Sequence, residues 1–217
     1  MDFAKARELM VEQQVRPWDV LDARILHVMG TLPREAFIPA AQRNLAYADT
    51  ALPLADGRVA HKPVFEGRTL QSVLVRPNES VLEIGTGSGY VTACLARLGQ
   101  QVTSLETSAT LAANAREQIA AQGLSNVEIL DGNAFNLTAL NGRQFDVVVV
   151  NGAMAELPSD LMAALKDGGR LFYVRGEAPA MEAVVVQRQG AGYKTQVMFE
   201  TDIAYLEGAE PKATFSI

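Results

Sequence analysis

A single cysteine, Cys94, stands in 217 residues, so no disulfide can form within the chain and no metal site can be built from several thiolates. Long apolar runs are missing as well. Charges recur throughout, and no stretch approaches the roughly 18 apolar residues of a membrane span. The opening Met1-Asp2-Phe3-Ala4-Lys5 runs into a charged amphipathic segment and lacks the apolar centre of a signal peptide. Basic residues are outnumbered, 19 Lys and Arg against 25 Asp and Glu, and they form no cluster suited to a nucleic-acid backbone. What remains is ordinary globular composition, 48% hydrophobic and 20% charged, in a chain long enough for one sizeable core. These features predict a soluble cytoplasmic protein of one compact domain, with no membrane or nucleic-acid partner. They leave its oligomeric state open.

The first 63 residues read differently from the rest. Asp2 can cap a helix whose Phe3, Ala6, Leu9, Met10 and Gln13 form a stripe, and Pro17 ends it. Asp22 can cap a second helix through Ile25, Leu26 and Met29, closed by Gly30. Pro33, Pro39, Pro53 and Pro63 break the following stretch into turns and loops. Such a segment cannot form a core alone, so residues 1–63 are expected to be a helical and loop lid on a 64–217 core.

From there the pattern alternates. Strands are expected at Ser80–Ile84, Gln101–Leu105, Val127–Leu130, Phe145–Val150 and Arg170–Val174. Helices are expected at Thr69–Val75, Val91–Leu98, Ser108–Gln122 and Pro158–Leu165, the last stopped by Gly168-Gly169. Val147-Val148-Val149-Val150 in a row marks a strand buried on both faces. The alternation predicts a doubly wound, mostly parallel, Rossmann-like α/β sheet of seven strands. Ala183–Gln189, Gly190-Ala191-Gly192 and Tyr193–Glu200 read as an antiparallel hairpin appended to it.

The chemistry gathers at strand ends. Glu83-Ile84-Gly85-Thr86-Gly87-Ser88-Gly89 joins the first core strand to its helix, where glycines let a ligand lie against bare backbone. Glu106 ends the next strand, 17 residues past Gly89, where a carboxylate can accept from ribose hydroxyls. Asp131, before Gly132, ends the third and is placed to meet an adenine amino group. Together these indicate an adenosine-containing cofactor. Tyr90 stands where a dinucleotide loop has its last glycine, and no lysine follows as in a triphosphate loop. Glu83 would repel a pyrophosphate but suits an ammonium. The choice falls on S-adenosylmethionine rather than NAD, and the terminal hairpin fits, since the methyltransferase version of this fold ends in a reversed strand.

The sequence also resembles the protein-L-isoaspartate O-methyltransferases. The likeness is carried by Met10-Val11-Glu12-Gln13-Gln14-Val15-Arg16-Pro17, Leu32-Pro33-Arg34-Glu35-Ala36-Phe37-Ile38-Pro39 and Ala46-Tyr47-Ala48-Asp49. It continues through Val81–Tyr90, Glu106, Asp131-Gly132 and Leu165-Lys166-Asp167-Gly168-Gly169-Arg170-Leu171. The resemblance implies methylation of isoaspartyl carboxylates in damaged proteins. It implies a cofactor site of Glu83, Gly85, Thr86, Gly87, Ser88, Gly89, Glu106, Thr107, Asp131, Gly132 and Asn151. Family members carry Gly-x-Thr-Ile-Ser-x-Pro before the first core helix, with hydroxyls that hold the substrate carboxylate. Here that stretch is Gly57-Arg58-Val59-Ala60-His61-Lys62-Pro63, which assigns Val59, Ala60 and His61 to the substrate and makes His61 the candidate catalytic residue. A cationic His61 could pair with a carboxylate, and a neutral one could fill the space instead.

Other residues have plainer readings. Cys94 falls on the apolar face of its helix as a small core residue, and His27 is structural or exposed. Trp18 and Tyr47 anchor the lid. Arg58, Lys62 and Arg68 form a solvated face or greet an anionic substrate. Two further functions stay open, a methyltransferase with another acceptor and a cofactor-binding protein without turnover.

Overall fold

The structure, a computed structural model, describes residues 1–211; residues 212–217, the end of the expected core range, lie outside it. Its centre is a seven-stranded sheet in the order β5-β4-β3-β6-β7-β8-β9. The strands are β3 (Ser80–Ile84), β4 (Gln101–Glu106), β5 (Val127–Asp131), β6 (Phe145–Ala153), β7 (Leu165–Arg175), β8 (Met181–Gln189) and β9 (Gly192–Thr201). The first five are parallel, β8 runs against β7, and β9 against β8. The reversed strand is thus β8, and the final strand turns back to run with the parallel set.

Alternation along the strands divides the core. Val147 and Val149 pack on one face of the sheet, Val148 and Val150 on the other, all fully buried. The first face carries α3 (Pro63–Val73), α4 (Tyr90–Leu98) and α5 (Ala109–Ala121). The second is covered more thinly, by α6 (Ser159–Ala163) and the 134–140 loop. Cys94 is buried in the first cluster and His27 is exposed, in line with their plainer readings.

Three helix boundaries differ from expectation, the first because the helix capped by Asp22 runs through Gly30 to Thr31 instead of closing on the glycine. α3 begins six residues before Thr69, with Pro63 at its first turn, where the missing N–H costs nothing and the fixed φ suits a helix. The expected Pro158–Leu165 helix is only α6, and Leu165 already belongs to β7. Gly168-Gly169 is a bulge inside that strand, where pairing skips from Phe145–Leu165 to Val147–Arg170. A Cβ on Gly169 would stand 2.9 Å from the Lys166 carbonyl oxygen, so the bulge admits only glycine.

The first 63 residues occupy two places. α1 (Phe3–Met10), capped by Asp2, and α2 (Ala23–Thr31), capped by Asp22, pack with the turns between them on α3 and α4. There Gly67 lets the Val15 side chain approach so closely that a Cβ would lie 2.7 Å from it. Tyr47 is buried and bonded to Arg7 and Glu35, but Trp18, read as an anchor, is 56% exposed. The short hairpin of β1 (Leu52–Pro53) and β2 (Val59–Ala60) lies instead over the carboxyl ends of the sheet. Asp56 in its turn accepts from Ser108 Oγ (2.5 Å), and Arg58 pairs with Glu207 (2.5 Å).

Candidate active site

Three strand ends and two covering segments enclose one cavity. After β3 the chain passes through Gly85 (φ +86°) and Gly87 (φ +54°), both left-handed, before entering α4. Glu106 at the end of β4 ties this loop down. Its Oε2 accepts from the Gly87 N–H (2.9 Å), and its Oε1 accepts from the N–H groups of Thr107 and Ser108 (3.0 Å each). A carboxylate has about four acceptor sites, so three are taken and one is left for a ligand hydroxyl.

At the end of β6, Asn151 bridges three elements. Its Nδ2 donates to Glu83 Oε1 (2.7 Å) and to the Gly85 carbonyl (3.0 Å), and its own carbonyl accepts from His61 Nε2 (3.0 Å). Glu83 is wholly buried and also accepts from Thr92 Oγ1 (2.5 Å) and Ser104 Oγ (2.7 Å). Burial pushes its pKa up to about 7 against the pull of these bonds.

His61 is held from below. Arg34, fully buried, grips Glu66 with Nε and Nη2 (2.8 and 3.0 Å) and donates to the carbonyls of Ala46 and His61, the latter at 2.6 Å. The His61 ring leans on Phe65, centroids 4.7 Å apart. Because a carbonyl only accepts, the ring nitrogen facing Asn151 carries the proton. Burial, aided by the Arg34 charge and opposed by the bond to Asn151, pushes the His61 pKa below its usual 6.5, so the ring is neutral at pH 7.

The cavity is lined by Val59, Ala60 and His61, by Gly85, Thr86, Gly87 and Ser88, and by Glu106, Thr107, Gly132 and Asn151. Eleven of the sequence-chosen residues therefore meet there. Three do not line it. Glu83 lies behind the wall and orients Asn151, so an ammonium would meet Asn151 first. Gly89 faces α5, where a Cβ would come within 2.9 Å of the Ala115 Cβ. Asp131 is exposed beyond the lining, and Asn133 and Phe135 take the place assigned to it.

The far wall comes from the C-terminal stretch, which the family resemblance assigns to the substrate groove and where Ile203-Ala204-Tyr205-Leu206 departs from the family. Beyond β9 the chain returns beside β6, where Ala153 donates to the Ala204 carbonyl and Leu206 to the Ala153 carbonyl. A Cβ on Gly152 would lie 2.7 Å from Leu206. This return brings Ala204, Tyr205, Leu206 and Glu207 to the cavity from more than fifty residues downstream.

Comparison with known proteins agrees with this arrangement. A family model described as Protein-L-isoaspartate(D-aspartate) O-methyltransferase (PCMT) matches residues 5–207. A protein-L-isoaspartate O-methyltransferase of Herpetosiphon aurantiacus is 33% identical over 207 residues, covering 95% of this chain and 92% of its own. One from Koribacter versatilis is 36% identical over 190 residues, covering 88% and 85%. A Plasmodium falciparum structure named for the same activity, in complex with S-adenosyl-L-homocysteine, superposes with a TM-score of 0.78 at 20% identity. It covers 95% of this chain and 98% of that one.

Proposed function

We propose, from the premise that this chain belongs to the protein-L-isoaspartate(D-aspartate) O-methyltransferase family, that it transfers a methyl group from S-adenosylmethionine to the free carboxylate of isoaspartyl residues in proteins. The observation that carries the reading is the glycine cradle closed by Glu106, whose one free acceptor site suits a ribose hydroxyl. Gly85 supports it further, since its φ of +86° is a left-handed conformation that side chains rarely adopt, and the backbone there stays bare. When bound, S-adenosylmethionine supplies an electrophilic methyl group on a sulfonium.

The chain's own residues then have three tasks. Gly85, Thr86, Gly87 and Ser88 offer backbone and small polar groups along one side, and Asn151, fixed by Glu83, offers its amide on the other. Asn133 and Phe135 flank the end reached by β5, the place for a base. Thirdly, within residues 1–63 the β1–β2 hairpin, held by its Asp56 and Arg58 ties, is the lid that keeps water from the reacting atoms. An isoaspartyl carboxylate is already ionised at pH 7, so positioning and desolvation suffice without a base. Val59 and His61 replace the hydroxyls that the family resemblance assigns to that carboxylate, so transfer to it is expected to be slow.

The test is methyl transfer to an isoaspartyl peptide beside its aspartyl twin, with calorimetric binding of S-adenosylhomocysteine as control. Methylation confined to the isoaspartyl peptide supports the reading. Cofactor binding with neither peptide methylated overturns the acceptor, and no cofactor binding overturns the whole. A cytoplasmic location and damaged-protein partners follow from the same reading.

A further inference from the structure

A second cavity adjoins the first and shares Val59, His61 and Ala204 with it. Phe65, Phe199 and Trp18 give it aromatic walls. Arg68 also lines it, its guanidinium 4.1 Å from the centroid of the Phe199 ring and 6.0 Å from that of Trp18. Among the described residues that guanidinium has no ion pair and no hydrogen-bond acceptor. An unpaired cation between aromatic faces suits a flat, anionic organic molecule.

At the junction stands His61. Its Nε2–H is committed to the Asn151 carbonyl, which leaves Nδ1 with a lone pair. Nδ1 has no protein partner among the described residues and is not sealed from the cavities. Such a nitrogen accepts a proton, and it faces a carboxylate lone pair to lone pair. The groups charged around it do not alter this. Arg34 and Glu66 below neutralise one another, and Arg34 alone disfavours a cationic ring. In the second cavity Lys62 and Arg68 stand against Asp49, Glu200 and Asp202, one negative charge in excess. An anion would therefore be drawn by the unpaired Arg68 itself rather than by the lining as a whole. In the first cavity Arg58 is paired with Glu207.

We propose that this protein has a further activity, methylation of a hydroxyl on an anionic aromatic acceptor held in the second cavity, with His61 Nδ1 as general base and Arg68 as the anion anchor. The acceptor O–H proton passes to Nδ1 while the oxygen pair forms the new O–CH3 bond. The sulfonium C–S bond breaks and its electron pair stays on sulfur, leaving the neutral thioether and imidazolium, which returns its proton to solvent. The proposal rests on the cofactor half of the preceding reading and not on its isoaspartyl half.

The test uses the full chain with S-adenosylmethionine and three probes: 4-hydroxybenzoate, 4-methylphenol without the anion, and benzoate without the hydroxyl. A methyl ether of 4-hydroxybenzoate is expected, a weaker yield from 4-methylphenol, and no product from benzoate. His61→Gln keeps a donor toward Asn151 but removes the base. It should lower ether formation about a hundredfold or more and leave S-adenosylhomocysteine affinity within about twofold. Its residual rate should climb about tenfold per pH unit toward the phenol pKa near 10, whereas the unaltered protein is flat above about pH 7. Arg68→Met should raise KM for 4-hydroxybenzoate about tenfold with kcat and the KM for 4-methylphenol little changed. Independently of turnover, nitrogen NMR of histidine-labelled protein should show His61 neutral with the proton on Nε2 at pH 7.5. Cofactor binding without ether from either phenol overturns the proposal, as does a His61→Gln protein of unchanged rate or a proton on Nδ1. Isoaspartyl methylation alone would overturn it and leave the preceding reading intact; ether formation alone would do the reverse.

Discussion

Replacing Glu83 with glutamine isolates what this buried carboxyl does. Its side chain is inaccessible, and burial raises its pKa from the ordinary 4.5 to about 7. Between those values the folded protein holds a proton that the unfolded chain has released, so stability falls as pH rises through the window. The stabilisation is complete below 4.5 and gone above 7. At about 1.4 kcal/mol per pKa unit, a shift of this size corresponds to about 3 kcal/mol. Glutamine fits the same contacts, since its oxygen can accept from Asn151 Nδ2 while its amide faces the Thr92 and Ser104 hydroxyls, which can rotate to accept. Urea unfolding followed by circular dichroism at several pH values from 4.5 to 8 should show the natural protein losing about 3 kcal/mol relative to Glu83→Gln. The variant should be the more stable of the two at pH 8. Parallel stability curves would refute the buried-proton argument. The same variant separates two roles, because a residue that only orients Asn151 leaves S-adenosylhomocysteine affinity within about threefold. A direct partner of the ligand ammonium would cost a charge-assisted bond, about 1.5–3 kcal/mol, or tenfold and more in affinity.

Glu106→Ala should weaken S-adenosylhomocysteine binding about tenfold or more, and calorimetry with unchanged affinity would remove Glu106 from the site. Arg34→Met strands the buried Glu66 carboxylate and frees two carbonyls, which should cost about 3–5 kcal/mol and lower Tm by about 6–20 °C. Adding Glu66→Leu should recover most of that loss, and a melting curve with no recovery would mean the charge itself is not what destabilises. Val59→Thr with His61→Ser should raise isoaspartyl methylation, by as much as about a hundredfold if the imidazole displaces the reacting oxygen by about 1 Å. Robust activity in the natural protein, with no gain in the double variant, would show that His61 is an accepted alternative.

The strand ends were legible because their signals are local. A run of β-branched residues, a glycine loop and a carboxylate at the next strand's end are each written within about ten residues, and hydrogen bonding to Gly87 joins them as the spacing suggests. Where a residue's surroundings come from elsewhere, the reading slipped. Glu83 looked like a ligand from its place before the loop, yet Thr92, Ser104 and Asn151, from three other elements, take both its oxygens. Gly89 looked like part of the cradle, yet Ala115 of α5 is what requires it. Gly168-Gly169 looked like a helix stop because the pairing partner that makes it a bulge, β6, lies about twenty residues upstream.

The acceptor side shows the same contrast more sharply. The cavity proposed for the acceptor is lined by Trp18, His61, Arg68, Phe199 and Ala204, which share no motif and meet because β9 folds back and the 203–207 return crosses beside β6. Local pattern therefore identifies the cofactor half, while the acceptor half depends on tertiary register. His61 belongs to both halves. The sequence placed it in the segment that meets substrate but left its charge open. Burial decides that question by keeping the ring neutral against the pull of the Asn151 carbonyl, which fixes only that the proton sits on Nε2. A neutral ring with a free lone pair is a poor partner for a carboxylate and a competent base for a hydroxyl. On the proposal made above, burial and this one backbone carbonyl together suit His61 to a hydroxyl acceptor rather than to a carboxylate.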